Sequence, residues 1–233
     1  MNRSFTNLIR FFLDECLPPL IRDSKYFMYP LFYYWYKGNN VDFYMNFKSH
    51  AFDLTDEEFA DAYRNLKCRA NDRETDLNMP CADFILKNLD KQSVSLLDVG
   101  CGRGYWLNRV ADETNYKLTG CDLYDNVPLK NGIYIKADVE KLPFDDNSFD
   151  IVTCQHTIEH VRNPQKAVSE LKRVAKNQLI IVTPCQRFFN YTLDLHINFY
   201  PVESYLTSLI EMKNHTCKKI FGDWVYMCSM NNQ

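Results

Sequence analysis

The sequence predicts an α/β protein with a doubly wound, mostly parallel sheet that has helices on both faces and ends in an antiparallel hairpin. A helical, aromatic-rich cap is predicted to precede the sheet. Three observations support this. Short apolar runs alternate with helical segments between residues 95 and 183, the last two runs are too close together for a parallel connection, and the first 54 residues are unusually aromatic.

The cap is predicted at residues 1–54. Apolar residues recur at helical spacing from Phe5 to Cys16, before a break at Pro18-Pro19. The stretch "YFMYPLFYYWY", residues 26–36, then holds eight aromatic residues among eleven. Two interpretations stay open: these side chains pack on the main domain or on a second copy, or they enter a membrane interface. The second interpretation uses Phe32, Tyr34 and Trp35, flanked by Arg22, Lys25 and Lys37.

The main domain is predicted at residues 55–233. It opens on a capping box, in which Thr55 and Glu58 are three residues apart, and a second helix is expected at 76–89. Strands are then predicted at 95–99, 117–121, 133–137, 149–154 and 179–183, with helices at 105–113 and 164–175. A helix at 202–212 and two strands at 217–221 and 224–229 complete the chain, and the tight connection at Gly222-Asp223 requires the last two strands to be antiparallel.

Composition limits the class of protein. The net charge of −3 and pI of about 6.0 give no general signature of nucleic-acid binding. The nine cysteines contain no C-x-x-C pair, which predicts reduced thiols in a cytoplasmic setting and neither a zinc site nor a disulfide framework. No stretch approaches the roughly 20 apolar residues of a membrane-spanning helix.

The stretch "LLDVGCGRG", residues 96–104, predicts a glycine-rich turn that holds a ligand after the first strand. Its spacing is G-x-G-x-G, and a dinucleotide fingerprint would be G-x-G-x-x-G. Asp98 lies inside the motif, where a carboxylate would repel a pyrophosphate. A P-loop is excluded because no G-x-x-x-x-G-K-[ST] occurs. The turn therefore favours a ligand with a cationic group over a dinucleotide, which disfavours an NAD-linked oxidoreductase.

Two further aspartates follow predicted strands. Asp122 ends the second strand, where a carboxylate can accept hydrogen bonds from both ribose hydroxyls. Asp138 follows the third strand, where it could accept from an adenine amino group while Val139 offers a backbone donor. A solvated turn is the alternative for Asp138. These positions predict a nucleoside-containing ligand.

Together, "LLDVGCGRG", "GCD" and "ADVEKLPFDDNSFDIVTCQHTIEHV" resemble the class I S-adenosylmethionine-dependent methyltransferases over residues 96–184. The resemblance implies a seven-stranded sheet whose last strand is antiparallel. It also implies S-adenosyl-L-methionine as cofactor and S-adenosyl-L-homocysteine as product. Arg73, Thr75 and Asp76 are weaker candidates for holding the cofactor carboxylate. The resemblance places the cofactor at Asp98, Gly100, Cys101, Gly102, Asp122, Leu123, Asp138, Val139 and Gln155.

Three histidines are candidates for the general base that an acceptor hydroxyl needs. His156 and His160 follow the fourth strand at helical spacing, and His196 lies after the fifth strand. Two of them have a structural alternative: His160 could brace its loop, and His196 could simply be packed. No metal is expected, because no second carboxylate cluster accompanies Glu159 and its neighbouring histidines.

The acceptor is predicted from a further resemblance. The opening "LPPLIRDSKYFMYPLFYYWYKG" resembles the N-terminal extension of methyltransferases associated with glycan and polysaccharide assembly. This implies O-methylation of a sugar hydroxyl and contact of the cap with a membrane surface or with a second copy of the chain. The alternatives are a small metabolite or a quinone-like lipid as acceptor, and a cofactor-binding module without catalysis.

Overall fold

The computed structural model describes residues 11–69 and 74–230, without the side chains of residues 14 and 15. The described residues form two compact units: residues 11–69, 74 and 186–199 make up the first, and residues 75–185 and 200–230 make up the second. This division differs from the predicted boundary between residues 54 and 55. The physical reason is burial, because Phe59 and Ala62 of the helix Asp56–Arg64 belong to the core of the first unit, together with Leu195 of the later segment.

The second unit is built on one seven-stranded sheet in the order β3-β2-β1-β4-β5-β7-β6. Neighbouring strands from β3 to β5 are parallel, and β7 pairs antiparallel with both β5 and β6. The predicted fold class is confirmed. The strands are β1 Ser95–Val99, β2 Lys117–Asp122, β3 Ile133–Lys136, β4 Phe149–Gln155, β5 Ala175–Pro184, β6 His215–Ile220 and β7 Asp223–Ser229.

Alternating side chains of the sheet fill two separate cores, one on each face. On one face Leu97 and Val99 of β1 pack with the helices Pro164–Val174 and Glu203–Ile210. On the other face Leu96 packs with the helices Met79–Asn88 and Tyr105–Glu113. In the sheet β1 lies between β2, which follows it in the chain, and β4, so the strand order reverses direction at β1. The carboxyl ends of β1, β2 and β4 therefore meet where such folds bind ligands.

The first unit is helical. Its elements are a π-helical turn Phe12–Cys16 and the helices Pro19–Arg22, Lys25–Trp35, Val41–Met45, Phe47–His50 and Asp56–Arg64. The predicted capping box is present: the Glu58 N–H donates to Thr55 Oγ1 at 3.3 Å, and the Thr55 N–H donates to Glu58 Oε2 at 2.9 Å.

The aromatic stretch is only partly packed into the core of its own unit, because three of its eight aromatic side chains are buried, namely Phe32, Trp35 and Tyr36. Met28, Phe32 and Trp35 are one helical turn apart and all three are buried. The interpretation in which Phe32 and Trp35 enter a membrane is therefore corrected, since both side chains are already covered by protein. Tyr34 is exposed, and the Arg69 guanidinium lies 4.0 Å from its ring centroid. Phe5, Leu8 and Ile9 fall outside the described residues, within which every helix is too short or too polar to cross a bilayer.

Candidate cofactor and active site

The glycine turn is fixed between two neighbouring strands. The N–H groups of Gly100 and Cys101 both donate to the Cys121 carbonyl at the end of β2, at 2.8 and 3.1 Å. Gly100 has φ +73°, and a Cβ there would lie 2.0 Å from Thr157 Oγ1 in the loop after β4. Only glycine satisfies both the backbone angle and this close approach.

Gly102 has a different reason to be glycine. Its φ is +53°, yet a Cβ at this position would meet no protein atom within 4 Å. Its N–H donates to Asp122 Oδ2 at 2.8 Å. The turn therefore leaves open space beside Gly102, which a ligand can occupy at close distance to the backbone.

Asp98 is a buried carboxylate on the strand that leads into the turn. It is 2% exposed and accepts a hydrogen bond from the Thr153 hydroxyl of β4 at 2.7 Å. Burial raises the pKa of Asp98 to about 7, the Thr153 hydrogen bond opposes that shift, and the charge of Asp122 adds to it. A cationic ligand group would stabilise the ionised form of this carboxylate.

Asp122 links the end of β2 to the glycine turn. Besides the bond from Gly102, its Oδ1 accepts from the Leu123 N–H at 2.7 Å. Burial raises the pKa of Asp122, while these backbone hydrogen bonds and the charge of His160 lower it. A carboxylate offers about four acceptor positions, and the N–H groups of Gly102, Leu123 and Tyr124 bond to this one, so Asp122 keeps a position that can accept from a ribose hydroxyl.

The turn after β3 carries the predicted adenine contacts. Asp138 is exposed, and its Oδ1 accepts from the Glu140 N–H at 2.9 Å. The turn closes through an isolated bridge between Asp138 and Lys141. The Val139 side chain is buried in the core, which fixes the position of its backbone.

Gln155 is the last residue of β4. Its side chain is nine-tenths buried, and neither amide atom has a hydrogen-bond partner among the residues that the structure describes. Since a buried amide without partners is costly, a ligand at this position would complete its hydrogen bonding.

His156 is held between two buried carboxylates. Its Nδ1 lies 3.3 Å from Glu159 Oε1 and its Nε2 lies 3.4 Å from Asp223 Oδ2, which also accepts from Asn78 Nδ2 at 2.7 Å. Burial alone would lower the pKa of His156, but Asp223 and Glu159 raise it to about 10. The imidazole is therefore already protonated at neutral pH, which argues against His156 as the base and favours a structural cation.

The other two histidines lie in different units. His160 belongs to the second unit, where its N–H donates to the Thr157 carbonyl at 2.9 Å. His196 is buried in the first unit, with Nδ1 2.5 Å from Gln186 Oε1. Hydrogen bonds to backbone carbonyls tie the segment 186–199 to the N-terminal helices: Tyr36 Oη donates to Leu193 at 2.7 Å and Tyr63 Oη to Leu195 at 3.1 Å.

Most of the predicted cofactor residues converge. The end of β1, the glycine turn, Asp122, Leu123 and Gln155 lie on adjacent strands, and Asp138 and Val139 follow the next strand outward. Of the weaker candidates, Thr75 accepts from the Leu77 N–H at 3.1 Å, and Arg73 lies outside the described residues. Sequence reasoning missed Thr153 and Asp223, whose partners are distant in the chain. It noted Glu159 without seeing that its spacing from His156 permits an ion pair.

Known proteins resemble this chain in the same region. A family described as a methyltransferase domain matches residues 97–182. An uncharacterised protein of Methanocaldococcus jannaschii is 39% identical over 103 residues, 42% of this chain and 45% of the relative. A demethylmenaquinone methyltransferase of Staphylococcus epidermidis is 29% identical over 155 residues, 62% of this chain and 63% of the relative. The chain thus spans less than two thirds of these relatives' length.

Solved structures agree on the fold. An S-adenosylmethionine-dependent methyltransferase from Aquifex aeolicus superposes with a TM-score of 0.53 at 19% identity, over 73% of this chain and 98% of that one. At this identity the likeness concerns the fold alone.

S-adenosylmethionine is the cofactor of this domain, and the residues fit it part by part. Asp98 would face the ammonium group, and the open space at Gly102 would admit the methionine moiety. Asp122 would bind the ribose, and the unpartnered amide of Gln155 would find a polar group on the ligand. In Asp98 the arrangement has a charged partner for the cation of such a ligand.

Proposed function

We propose that this chain, which carries a class I S-adenosylmethionine-dependent methyltransferase domain, methylates a sugar hydroxyl of a glycan or sugar nucleotide. The transfer would be an in-line displacement assisted by a histidine general base. The observation that carries the proposal is the convergence of Asp98, Gly102 and Asp122 at the carboxyl ends of β1 and β2. This set supplies a carboxylate for a cation and a carboxylate for a ribose beside an open turn.

The cofactor supplies an activated methyl group, so the chain has to align the acceptor and remove its proton. His196 is our first candidate for the base. Gln186 Oε1 can only accept a hydrogen bond, so His196 Nδ1 is the donor in this contact, and in the neutral ring Nε2 would then be the basic nitrogen. His160 is the second candidate. His156 is the least suited, because its two carboxylate partners keep it protonated.

The sugar acceptor is supported by aromatic side chains of the first unit. Phe188 is exposed and lies edge-on to Phe199, with ring centroids 5.2 Å apart. The Lys48 ammonium lies 4.0 Å from the Phe188 centroid. Aromatic faces stack on the apolar faces of sugar rings, and a nearby cation suits an acceptor that carries phosphate.

A quinone-like lipid or small metabolite is the second candidate acceptor. It is favoured by the likeness to a demethylmenaquinone methyltransferase and by large apolar side chains that remain exposed in the first unit. Tyr26 is 92% exposed and Leu20 is 88% exposed. In this proposal the protein works in the cytoplasm, and these side chains contact a membrane surface or a second copy of the chain.

The decisive experiment is an acceptor screen with isotopically labelled S-adenosylmethionine and mass analysis of the products. The panel contains sugar nucleotides, oligosaccharides and a demethylated quinone in detergent, and the Asp122→Ala variant serves as the matched control. Label in a sugar product that is absent with Asp122→Ala supports the proposal. Label confined to the quinone favours the second candidate. Cofactor binding without any transfer across a broad panel would favour a non-catalytic module.

A further inference from the structure

The helix Pro164–Val174 is hydrogen-bonded at both of its ends to residues 140–144, which directly follow the predicted adenine contacts. At the first end the N–H of Asn163, the N-cap residue, donates to Glu140 Oε1 at 2.9 Å. At the far end Arg173 donates from Nη1 to the Phe144 carbonyl at 2.6 Å and from Nη2 to the Leu142 carbonyl at 3.1 Å. The helix thus holds both ends of the segment 140–144 in place.

Glu170 completes this attachment. Its two oxygens accept from Arg173 Nε and Nη2 at 2.8 and 2.9 Å, and Oε2 also accepts from the Leu142 N–H at 2.8 Å. The Arg173 hydrogen bonds lower the pKa of Glu170, which keeps the pair charged. Both backbone polar groups of Leu142 are therefore held by one side-chain pair.

Apolar packing against the helix also fixes this segment. Val139 and Leu142 lie in the same core cluster as Ala167 and Leu171 of the helix. The turn 138–141 contains the Asp138–Lys141 bridge and the hydrogen bond from the Glu140 N–H to Asp138 Oδ1. Because protein interiors are close-packed, the buried Val139 and Leu142 fix the backbone of the turn that carries Asp138.

We propose that Arg173 is a positioning residue that sets the preference of the cofactor site for adenine over hypoxanthine. The inference rests on the proposed contact of Asp138 with the adenine amino group. An amino group donates to a carboxylate, whereas the oxo group of hypoxanthine repels it, so the preference depends on how firmly Asp138 is placed. Releasing Leu142 and Phe144 from Arg173 lets the turn shift and lets the carboxylate move away from an unfavourable base.

Calorimetry with S-adenosylhomocysteine and S-inosylhomocysteine tests this without requiring turnover. We expect the wild type to prefer the adenine ligand by about tenfold or more. Arg173→Met, which keeps the apolar stem, should lower this ratio to within about threefold. Arg173→Lys should keep part of it, since lysine retains the charge and loses the fork that reaches both carbonyls. Glu170→Gln should behave like Arg173→Lys.

Arg64→Met is the matched control. Like Arg173, which pairs with Glu170 and Asp146, Arg64 pairs with two carboxylates, Glu57 and Asp61, but it lies in the first unit. Its ratio of affinities should equal that of the wild type. Thermal unfolding of each variant shows which ones are folded, and Arg173→Lys and Glu170→Gln decide the question if Arg173→Met does not fold.

The outcomes separate this inference from the proposed function. An unchanged ratio in the Arg173 variants, or an equal loss for both ligands, would overturn the positioning role while leaving the cofactor assignment intact. A wild type that binds both ligands equally would overturn the adenine contact at Asp138 and this inference with it. A wild type that binds neither ligand would overturn the proposed function as well.

Discussion

The N–H of Gly102 donates to the Asp122 carboxylate at 2.8 Å, so a single side chain joins the end of β2 to the glycine turn after β1. The same carboxylate is the one expected to bind the ribose. Turn geometry and ribose recognition are therefore coupled through Asp122, and a substitution there should affect both.

Asp122→Ala should lower the affinity for S-adenosylhomocysteine by roughly 1.5–3 kcal/mol, because it removes charged hydrogen bonds from the ligand. Calorimetry measures this loss directly. Asp125→Asn is the matched control, since Asp125 is an exposed acid on the same loop that pairs with Lys136. Unchanged affinity in Asp122→Ala would refute the ribose assignment.

Cofactor affinity should depend on pH through Asp98. With a pKa of about 7 in the free protein, Asp98 must lose its proton before it can pair with the cofactor ammonium. Affinity should therefore fall as the pH drops below about 7, by up to about tenfold per pH unit, and level off above it. Among the described residues, the titratable groups that interact with this carboxylate are Asp122, Cys101, Cys121 and Cys154.

Thr153→Val sharpens this test. The variant removes the hydroxyl that stabilises the ionised form of Asp98, so the pH at which affinity begins to fall should move upward. Calorimetry in two buffers of different ionisation enthalpy counts the protons released on binding. Affinity that stays flat between pH 5.5 and 8, a window of about one unit or more on either side of that pKa, would contradict the role of Asp98.

His156→Leu should destabilise the second unit by about 3–5 kcal/mol at neutral pH, because it leaves Glu159 and Asp223 buried without their cation. The folded-state pKa of His156 is raised, so its stabilising contribution is complete below about 6.5 and is lost as the pH rises through about 10. The difference in free energy of unfolding between wild type and variant should shrink over that range.

Denaturant unfolding at several pH values provides this measurement, with the exposed His50→Leu as control. If His156→Leu were as stable as the wild type and bound the cofactor normally but had no turnover, the catalytic role would be restored to His156.

His196→Ala should reduce turnover by about 10²-fold or more while cofactor affinity stays within about twofold of the wild type. Gln186→Ala should reduce turnover less, because it frees the ring orientation without removing the base. Single-turnover kinetics with the acceptor identified in the screen separate these effects from binding. Should His196→Ala remain fully active, His160 becomes the base to test.

The sequence determined the features that depend on local pattern. Alternating apolar runs located all seven strands, and the capping box at Thr55 and Glu58 followed from residue type and spacing. The glycine turn and Asp122 could be assigned to one site because the carboxyl ends of adjacent parallel strands meet. These inferences succeed because they depend on neighbours in the chain or on a fixed rule of strand geometry.

The tertiary structure decided which distant residues share an environment. The charge state of His156 depends on Asp223, which reaches it only because β7 pairs antiparallel with β5. The segment 186–199 joins the N-terminal helices because the hydroxyls of Tyr36 and Tyr63 bond to its backbone. Contacts such as these join remote parts of the chain, so they are set by tertiary packing and not by local pattern.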